Sequence, residues 1–252
     1  MKFDKIYILA INHTQEKIDS IVKKLSALET DSVTNYEILV GHNGWQEELP
    51  EGAKIYENWG QPESWNDFWK KDVQPGEVGC TLSHISAWKK IVEDGVSRAL
   101  ILEEDFVPKL PLLELPEPDE SWPYKWDYLN LGRYIFNKEN DIMINDAYCI
   151  PSLHYNMHAY ALTNLGAQKL VDYNLQKNIF INDEFITATY MNHRRSDIEE
   201  LYPIKNINAL ATNKNWIGQN SNAETTMVSG HTKTFENPNR ESLLKANEKE
   251  TK

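Results

Sequence analysis

The stretch RALILEEDF, residues 98–106, sets Ala99, Leu100, Ile101 and Leu102 directly against three carboxylates, Glu103, Glu104 and Asp105. An uninterrupted apolar run of this length is what a strand buried on both faces requires. Just before it, Leu82, Ile85, Trp88, Ile91 and Val92 recur at helical spacing. A helix is therefore predicted from near Gly79 to Asp94, with Gly95 as its C-terminal stop. Nearer the N-terminus, Ile6 to Ile11 is a second short apolar run. It is followed by Ile18, Ile21, Val22, Leu25 and Leu28 on one helical face, with Asn12 and Gln15 spaced as a capping box. NYEILVG (35–41) reads as another strand, ending in a loop marked by Gly41 and Asn43-Gly44. Strand, helix, strand predicts a parallel sheet in an α/β fold, and ligands of such sheets bind beyond the carboxyl ends of the strands. The three acids stand at such an end.

Downstream, five prolines (108, 111, 116, 118 and 123) predict a surface excursion immediately after the acids. WDYLNLG (126–132) and HAYALT (158–163) read as strands, and NLGAQKLVDY (164–173) as a helix. Beyond about Gly218 apolar periodicity fades, so one domain is expected over 1–218, with a polar C-terminal tail over 219–252. The sheet should be mostly parallel and flanked by helices, and the C-terminal part more irregular.

With 252 residues, 40% of them hydrophobic and 25% charged, the chain has the composition of a soluble globular protein. Its 26 basic against 38 acidic residues give a net charge of −12, which argues against nucleic acid as a partner. The two cysteines, Cys80 and Cys149, offer neither a disulfide framework nor a CxxC metal spacing, which points to a reducing compartment. The run Ile6 to Ile11 is too short for a signal-peptide core or a membrane span. The expectation is a cytoplasmic protein without a transmembrane segment, with peripheral membrane association left open.

In an extended strand, residues i and i+2 share a face, so Glu103 and Asp105 could point together while Glu104 points away. Two carboxylates so placed suit a hard divalent cation, Mn²⁺ or Mg²⁺, with a diphosphate completing its shell. The same acids could simply begin a solvated loop. The preceding segment, PGEVGCTLSHISAWKKIVEDG (75–95), adds a glycine-bordered helix start at Gly76 and Gly79, where free amides favour an anionic group. Ser83 and His84 lie one turn further in. The tryptophan-rich segment WGQPESWNDFW (59–69) holds Trp59, Trp65 and Trp69. Trp65 and Trp69 at i and i+4 read first as one face of a packed helix, with stacking on a sugar as the other reading. Cys80 reads as a small buried helix residue.

Taken together, GEVGCTLSHISAWKKIVEDGVSRALILEEDF resembles the signature of glycosyltransferase family 25, in which a GC-x-x-SH-x-x-x-W helix precedes a strand ending in a Glu-Asp-Asp-like cluster. AYALTNLGAQKLV (159–171) resembles the family's strand and Gly-Ala-x-x-Leu helix, and INDEF (181–185) its acidic motif. The likeness extends roughly from Lys5 to Ile217. Two positions depart from the pattern. Glu104 stands where the family carries an Asp, and the arginine-rich first loop is replaced by NHTQEK (12–17), leaving His13 and Lys17 to meet donor phosphates.

The resemblance implies a GT-A-like, Rossmann-like fold. It implies a UDP-sugar or similar nucleotide-sugar donor and metal-assisted inverting transfer of a hexose, galactose or glucose. The acceptor would be a saccharide or a hydroxylated polypeptide. Carried onto this chain, Glu103 and Asp105 hold Mn²⁺ or Mg²⁺, with His231 as a further ligand. Asp183 acts as base, with Glu184 as its fallback. Ile11, Asn12, His13, Gly79, Ser83, His84 and Glu104 line the donor. An inverting enzyme needs such a base, and apolar neighbours such as Ile179, Phe180 and Phe185 would raise the pKa of Asp183. The alternative is a non-catalytic nucleotide- or saccharide-binding module with a degenerate site. A nucleotidyltransferase would need a basic, Gly-rich loop after the first strand, and INHTQEK is not one.

Overall fold

The computed structural model describes residues 1–11, 13–30, 35–64, 66–67, 69–118, 125–136 and 138–220, with the backbone at 224–225 and 233–234. The first apolar run is β1 (Lys5–Ala10), followed by α1 (Gln15–Ser26), β2 (Tyr36–Val40), α2 (Pro75–Glu93), β3 (Arg98–Glu103) and β4 (Phe106–Pro108). Short strands come next: β5 (Tyr128–Asn130), β6 (Tyr134–Ile135), β7 (Ile142–Met143), β8 (Tyr148–Ile150) and β9 (His154–Tyr155). The chain then forms β10 (Ala159–Thr163), α3 (Asn164–Asp172), α4 (Asn182–Tyr190), α5 (Ser196–Leu201), β11 (Ala209–Thr212) and β12 (Ile217–Gln219).

Eight strands form one sheet in the order β2-β1-β3-β10-β5-β11-β8-β7, with β10 and β8 running against the rest. The mixed, mostly parallel α/β architecture flanked by helices is as expected. The unbroken apolar runs follow from a sheet covered on both sides. Ile6, Ile8, Leu100 and Leu102 pack with Ile21 and Leu25 of α1 on one face. Tyr7, Leu9, Ala99 and Ile101 pack with Leu82, Ile85, Trp88 and Ile91 of α2 on the other, where Leu170 of α3 and Phe185 of α4 join them.

Several local expectations are revised. Helix α2 starts at Pro75, a turn before Gly79, because proline suits the first helical position and Gln74 and Glu77 close a reciprocal capping box. The cap of α1 is Thr14, whose hydroxyl accepts from the Lys17 amide, while Gln15 already lies in the helix. Gly95 ends α2 with φ +65°, the left-handed conformation expected of a helix stop. The proline-rich excursion is partly core: Leu112 and Leu115 are buried beneath the sheet, and the Leu112 amide donates to Leu28. Ile217 to Gln219, at the edge of the expected tail, pair with β4.

The described residues of the tryptophan-rich segment form turns and bends, not a helix. Trp59 and Trp69 are buried, so neither offers a face to a sugar, and Trp65 lies outside the described residues. The Trp59 ring stacks on Phe180 at 5.2 Å, and the Arg195 guanidinium sits 4.7 Å from Trp59 and 5.6 Å from Trp69. Arg195 also donates to the carbonyls of Asn58 and Trp59. A buried cation is tolerated there because its donors are used and aromatic faces replace water.

His154 gives the fold a pH dependence. It is buried in β9, with Nδ1 3.0 Å from the Ser152 carbonyl, and burial pushes its pKa down to about 4. The nearby Arg133 charge adds to that shift. The unfolded chain then takes up a proton near pH 6.5 that the folded protein refuses, so the stabilisation is complete above that pH. It drains away as pH falls toward 4 and totals about 3 kcal/mol. Urea unfolding of the unsubstituted protein and of His154→Gln between pH 4 and 7 should show this as a difference in stability that changes with pH, on top of the opposite contribution of Asp105 and Asp183, whose carboxyls are held above their usual range.

Candidate functional site

Strand β3 stops at Glu103, and Glu104 and Asp105 form a turn before β4 begins at Phe106. The alternation rule of an extended strand therefore does not place Glu103 and Asp105; the turn does. It is anchored from several sides. The Glu104 amide donates to Leu9 of β1, and the Glu103 amide to His158. From α1, Lys24 donates to the Glu104 carbonyl and Lys17 Nζ lies 2.7 Å from the Glu104 carboxylate. These lysines stand seven residues apart, two turns along one helix face. From β12 and just beyond it, Gln219 Nε2 donates to Asp105 Oδ2 at 3.0 Å and the Asn220 amide to the Asp105 carbonyl at 2.9 Å.

Helix α2 supports this turn from behind. His84 is fully buried, with Nε2 3.0 Å from Glu103 Oε1 and Nδ1 2.8 Å from the Tyr160 hydroxyl. Trp88 Nε1 donates to the same hydroxyl at 2.9 Å. Cys80 is half-buried, not sealed in the core, and its Sγ lies 3.7 Å from Glu103 Oε1. Ser83 points to the loop after β2: its Oγ accepts from the His42 amide at 2.9 Å and donates to the Gly79 carbonyl at 2.7 Å. A Cβ on Gly79 would lie 2.4 Å from the His42 carbonyl oxygen, so glycine there lets that loop lie on the helix.

The acidic motif begins α4. Glu184 is sealed in: it accepts from Trp69 Nε1 at 3.0 Å and from the Tyr155 hydroxyl, and its Oε2 lies 2.7 Å from His193 Nε2. Asp183 is half-buried and close enough for the Glu103 charge to act on it. Burial and the Glu103 charge push its pKa up to about 7, against the pull of a hydrogen bond from the Asn156 amide. Asn156 presents that amide from a left-handed conformation, φ 76°, which asparagine tolerates better than most residues.

Asp105 is likewise raised, by burial and by repulsion from Glu103. Burial is the largest influence on Glu103 and opposes its ionisation, but the His84 hydrogen bond, the charges of His84 and His158 and the Cys80 thiol together outweigh it and hold that carboxyl below its usual range. Three acids thus share a partly desolvated end of the sheet. Asp105 Oδ1 is buried there without a hydrogen-bond partner. A hard divalent cation would relieve both the repulsion and the orphaned oxygen, so Glu103 and Asp105 fit such an ion. Among the described residues, however, the donor trio lying within 4.8 Å of one another is Cys80, His84 and Glu103.

Of the other expected donor contacts, Ile11 is half-buried and His13 exposed, while Asn12 and the expected metal ligand His231 lie outside the described residues. A cavity of about 330 Å³ lies between the loop after β2 and α2, lined by Gly41, His42, Ser83 and Lys89 among others, and by none of the three acids. Sequence reasoning passed over Lys24, Gln219, Asn156 and Tyr160. Only Lys24 left a sequence signal, its two-turn spacing from Lys17; the other three reach the site through tertiary pairing.

Residues 3–115 match the model of glycosyltransferase family 25, described as an LPS biosynthesis protein family. The likeness read from helix and strand is borne out there. Mouse procollagen galactosyltransferase 2 is 23% identical over 225 residues, covering 84% of this chain and 34% of its own. The human inactive glycosyltransferase 25 family member 3 is 25% identical over 203 residues, covering 76% of this chain and 32% of its own. The chain thus spans about a third of the length of these curated relatives. A solved glycosyltransferase involved in glycosylating the major capsid of PBCV-1 aligns over 82% of this chain and 92% of its own, at 11% identity and a TM-score of 0.36.

Proposed function

From the chain's likeness to glycosyltransferase family 25, we propose that it transfers a hexose, galactose or glucose, from a nucleotide sugar to a hydroxyl acceptor, with inversion. The observation that carries this reading is that Asp183 lies near enough to Glu103, at the carboxyl end of β3, for the two charges to interact, while Asp105 shares the turn with Glu103. A Mn²⁺ or Mg²⁺ ion on Glu103 and Asp105 would neutralise charge on a diphosphate leaving group. On the chain's own side, the Asp183 carboxylate takes the acceptor proton, and the Asn156 amide fixes which oxygen is free to do so. Lys17 and Lys24 hold the turn in register from α1 and add positive charge beside the diphosphate position. The acceptor is a saccharide or a hydroxylated polypeptide, and the cytosol is the proposed place of action. No helix of the described residues is long and apolar enough to cross a membrane.

The second reading, a binding module without turnover, is favoured by the Lys17 contact that occupies Glu104 and by the similarity to a relative described as inactive. Incubating the purified protein with a panel of nucleotide hexoses separates the two. Release of UDP or another nucleotide from one donor, present with Mn²⁺ and abolished by a chelator, is the expected result. Metal-dependent nucleotide binding without release would replace the first reading by the second.

A further inference from the structure

Cys80 and His84 stand four residues apart on α2 and so present Sγ and Nε2 on one helix face, toward the end of β3. Glu103 meets them there. Its Oε1 lies 3.7 Å from Cys80 Sγ and 3.0 Å from His84 Nε2, and the three donor atoms all fall within 4.8 Å of one another. A tetrahedral zinc with ordinary Zn–S, Zn–N and Zn–O bonds has ligand-to-ligand edges of about 3.4–3.6 Å, which those separations bracket. The imidazole is held from its far side, where Tyr160 meets Nδ1 at 2.8 Å and is itself held by Trp88 at 2.9 Å. A metal-binding histidine needs such support on its other nitrogen. When a metal replaces the Nε2–H to Glu103 hydrogen bond, the ring proton on Nδ1 donates to the Tyr160 oxygen and the Nε2 lone pair is left facing the cluster.

We propose that Cys80, His84 and Glu103 form a site for a borderline divalent cation, Zn²⁺ foremost, distinct in donor chemistry from the all-oxygen set of Glu103 and Asp105. Thiolate and imidazole favour zinc or cobalt over magnesium or manganese, whereas carboxylates alone do not. On binding, the Cys80 thiol releases its proton to solvent as the sulfur–metal bond forms. Glu103 belongs to both donor sets, so zinc and the hard cation compete for it. On the proposed transferase reading, Zn²⁺ is then an inhibitor of Mn²⁺-supported turnover.

The test is spectroscopic and does not need turnover. Titrating CoCl₂ into the purified protein should give the visible bands of tetrahedral Co²⁺ and a near-ultraviolet sulfur-to-cobalt charge-transfer band, both displaced by ZnCl₂. Cys80→Ser should lose the charge-transfer band while keeping its circular dichroism, and Cys80→Ala serves if the serine variant misfolds. Absence of the band in the unsubstituted protein, or its persistence without Cys80, which would assign it to Cys149, overturns the proposal. If the cobalt bands appear but no donor is ever turned over, the cation site stands and the transferase reading alone fails. Where turnover is present, Zn²⁺ should inhibit it, at concentrations at least about tenfold higher without Cys80, a change of about 1.4 kcal/mol in binding.

Discussion

Asp183→Asn is expected to lower donor turnover by about 10²–10⁴-fold while leaving the melting temperature unchanged or raised. The substitution keeps the shape of the side chain and removes its ability to accept a proton. In the folded protein the charge is unwelcome: burial and Glu103 both push the Asp183 carboxyl toward protonation. Losing it therefore relieves repulsion and does not weaken the fold. A helix-capping role predicts the opposite pattern, because acids in the first turn of a helix stabilise it, and α4 begins with Asn182 and Asp183. Thermal unfolding together with steady-state rates on the same preparation distinguishes them. A falling melting temperature with near-normal turnover would remove Asp183 from the chemistry.

The largest expected loss of stability lies elsewhere. Arg133 and Asp141 form a buried pair, with side chains 0% and 1% exposed and donor distances of 3.1 and 2.5 Å. Asp141 also accepts from the Ser152 amide and hydroxyl, both at 2.8 Å. Asp141→Ala leaves the guanidinium without its carboxylate, with the Cys149 sulfur as its remaining hydrogen-bond partner among the described residues, and should cost about 3–5 kcal/mol. For a chain of this size that is a fall in melting temperature of about 10 °C. Replacing both partners, Arg133→Met with Asp141→Leu, should recover most of the loss, because no charge is then left buried. Differential scanning calorimetry of the single and double variants checks both statements. A double variant as unstable as Asp141→Ala would show that shape, not charge, holds this region.

The parts of this fold legible in the sequence were those written in local periodicity. β1, α1, β2, α2 and β3 follow one another with short-range signals, and both apolar faces of β1 and β3 are visible as unbroken runs. The reversal of β10 was not legible, because alternation along a strand carries no direction. The candidate site divides in the same way. The acids at the end of β3 and the His84 face of α2 could be read from spacing. The pairing of Glu103 with Cys80 and His84 could not, since it depends on how α2 crosses the sheet. The contact between Trp69 and Glu184 was not legible, for one reason. Their polar atoms meet each other in the interior, across 115 positions of sequence, which no local spacing records. The i, i+2 argument for Glu103 and Asp105 assumed a strand that in fact ends at Glu103, two residues before Asp105.

Gln219 is bound to Asp105 across 114 positions of sequence. Chains are synthesised from the N-terminus at about 5–20 residues per second, so that distance is roughly ten seconds of translation. For that interval the nascent chain carries β1, β2 and β3 with their helices already available, while the acid turn has neither its glutamine nor the β12 partner of β4. Contacts of such separation also form late in folding from the complete chain. The carboxylates at the end of β3 are thus among the earlier parts of this protein to be made and among the last to be set in place.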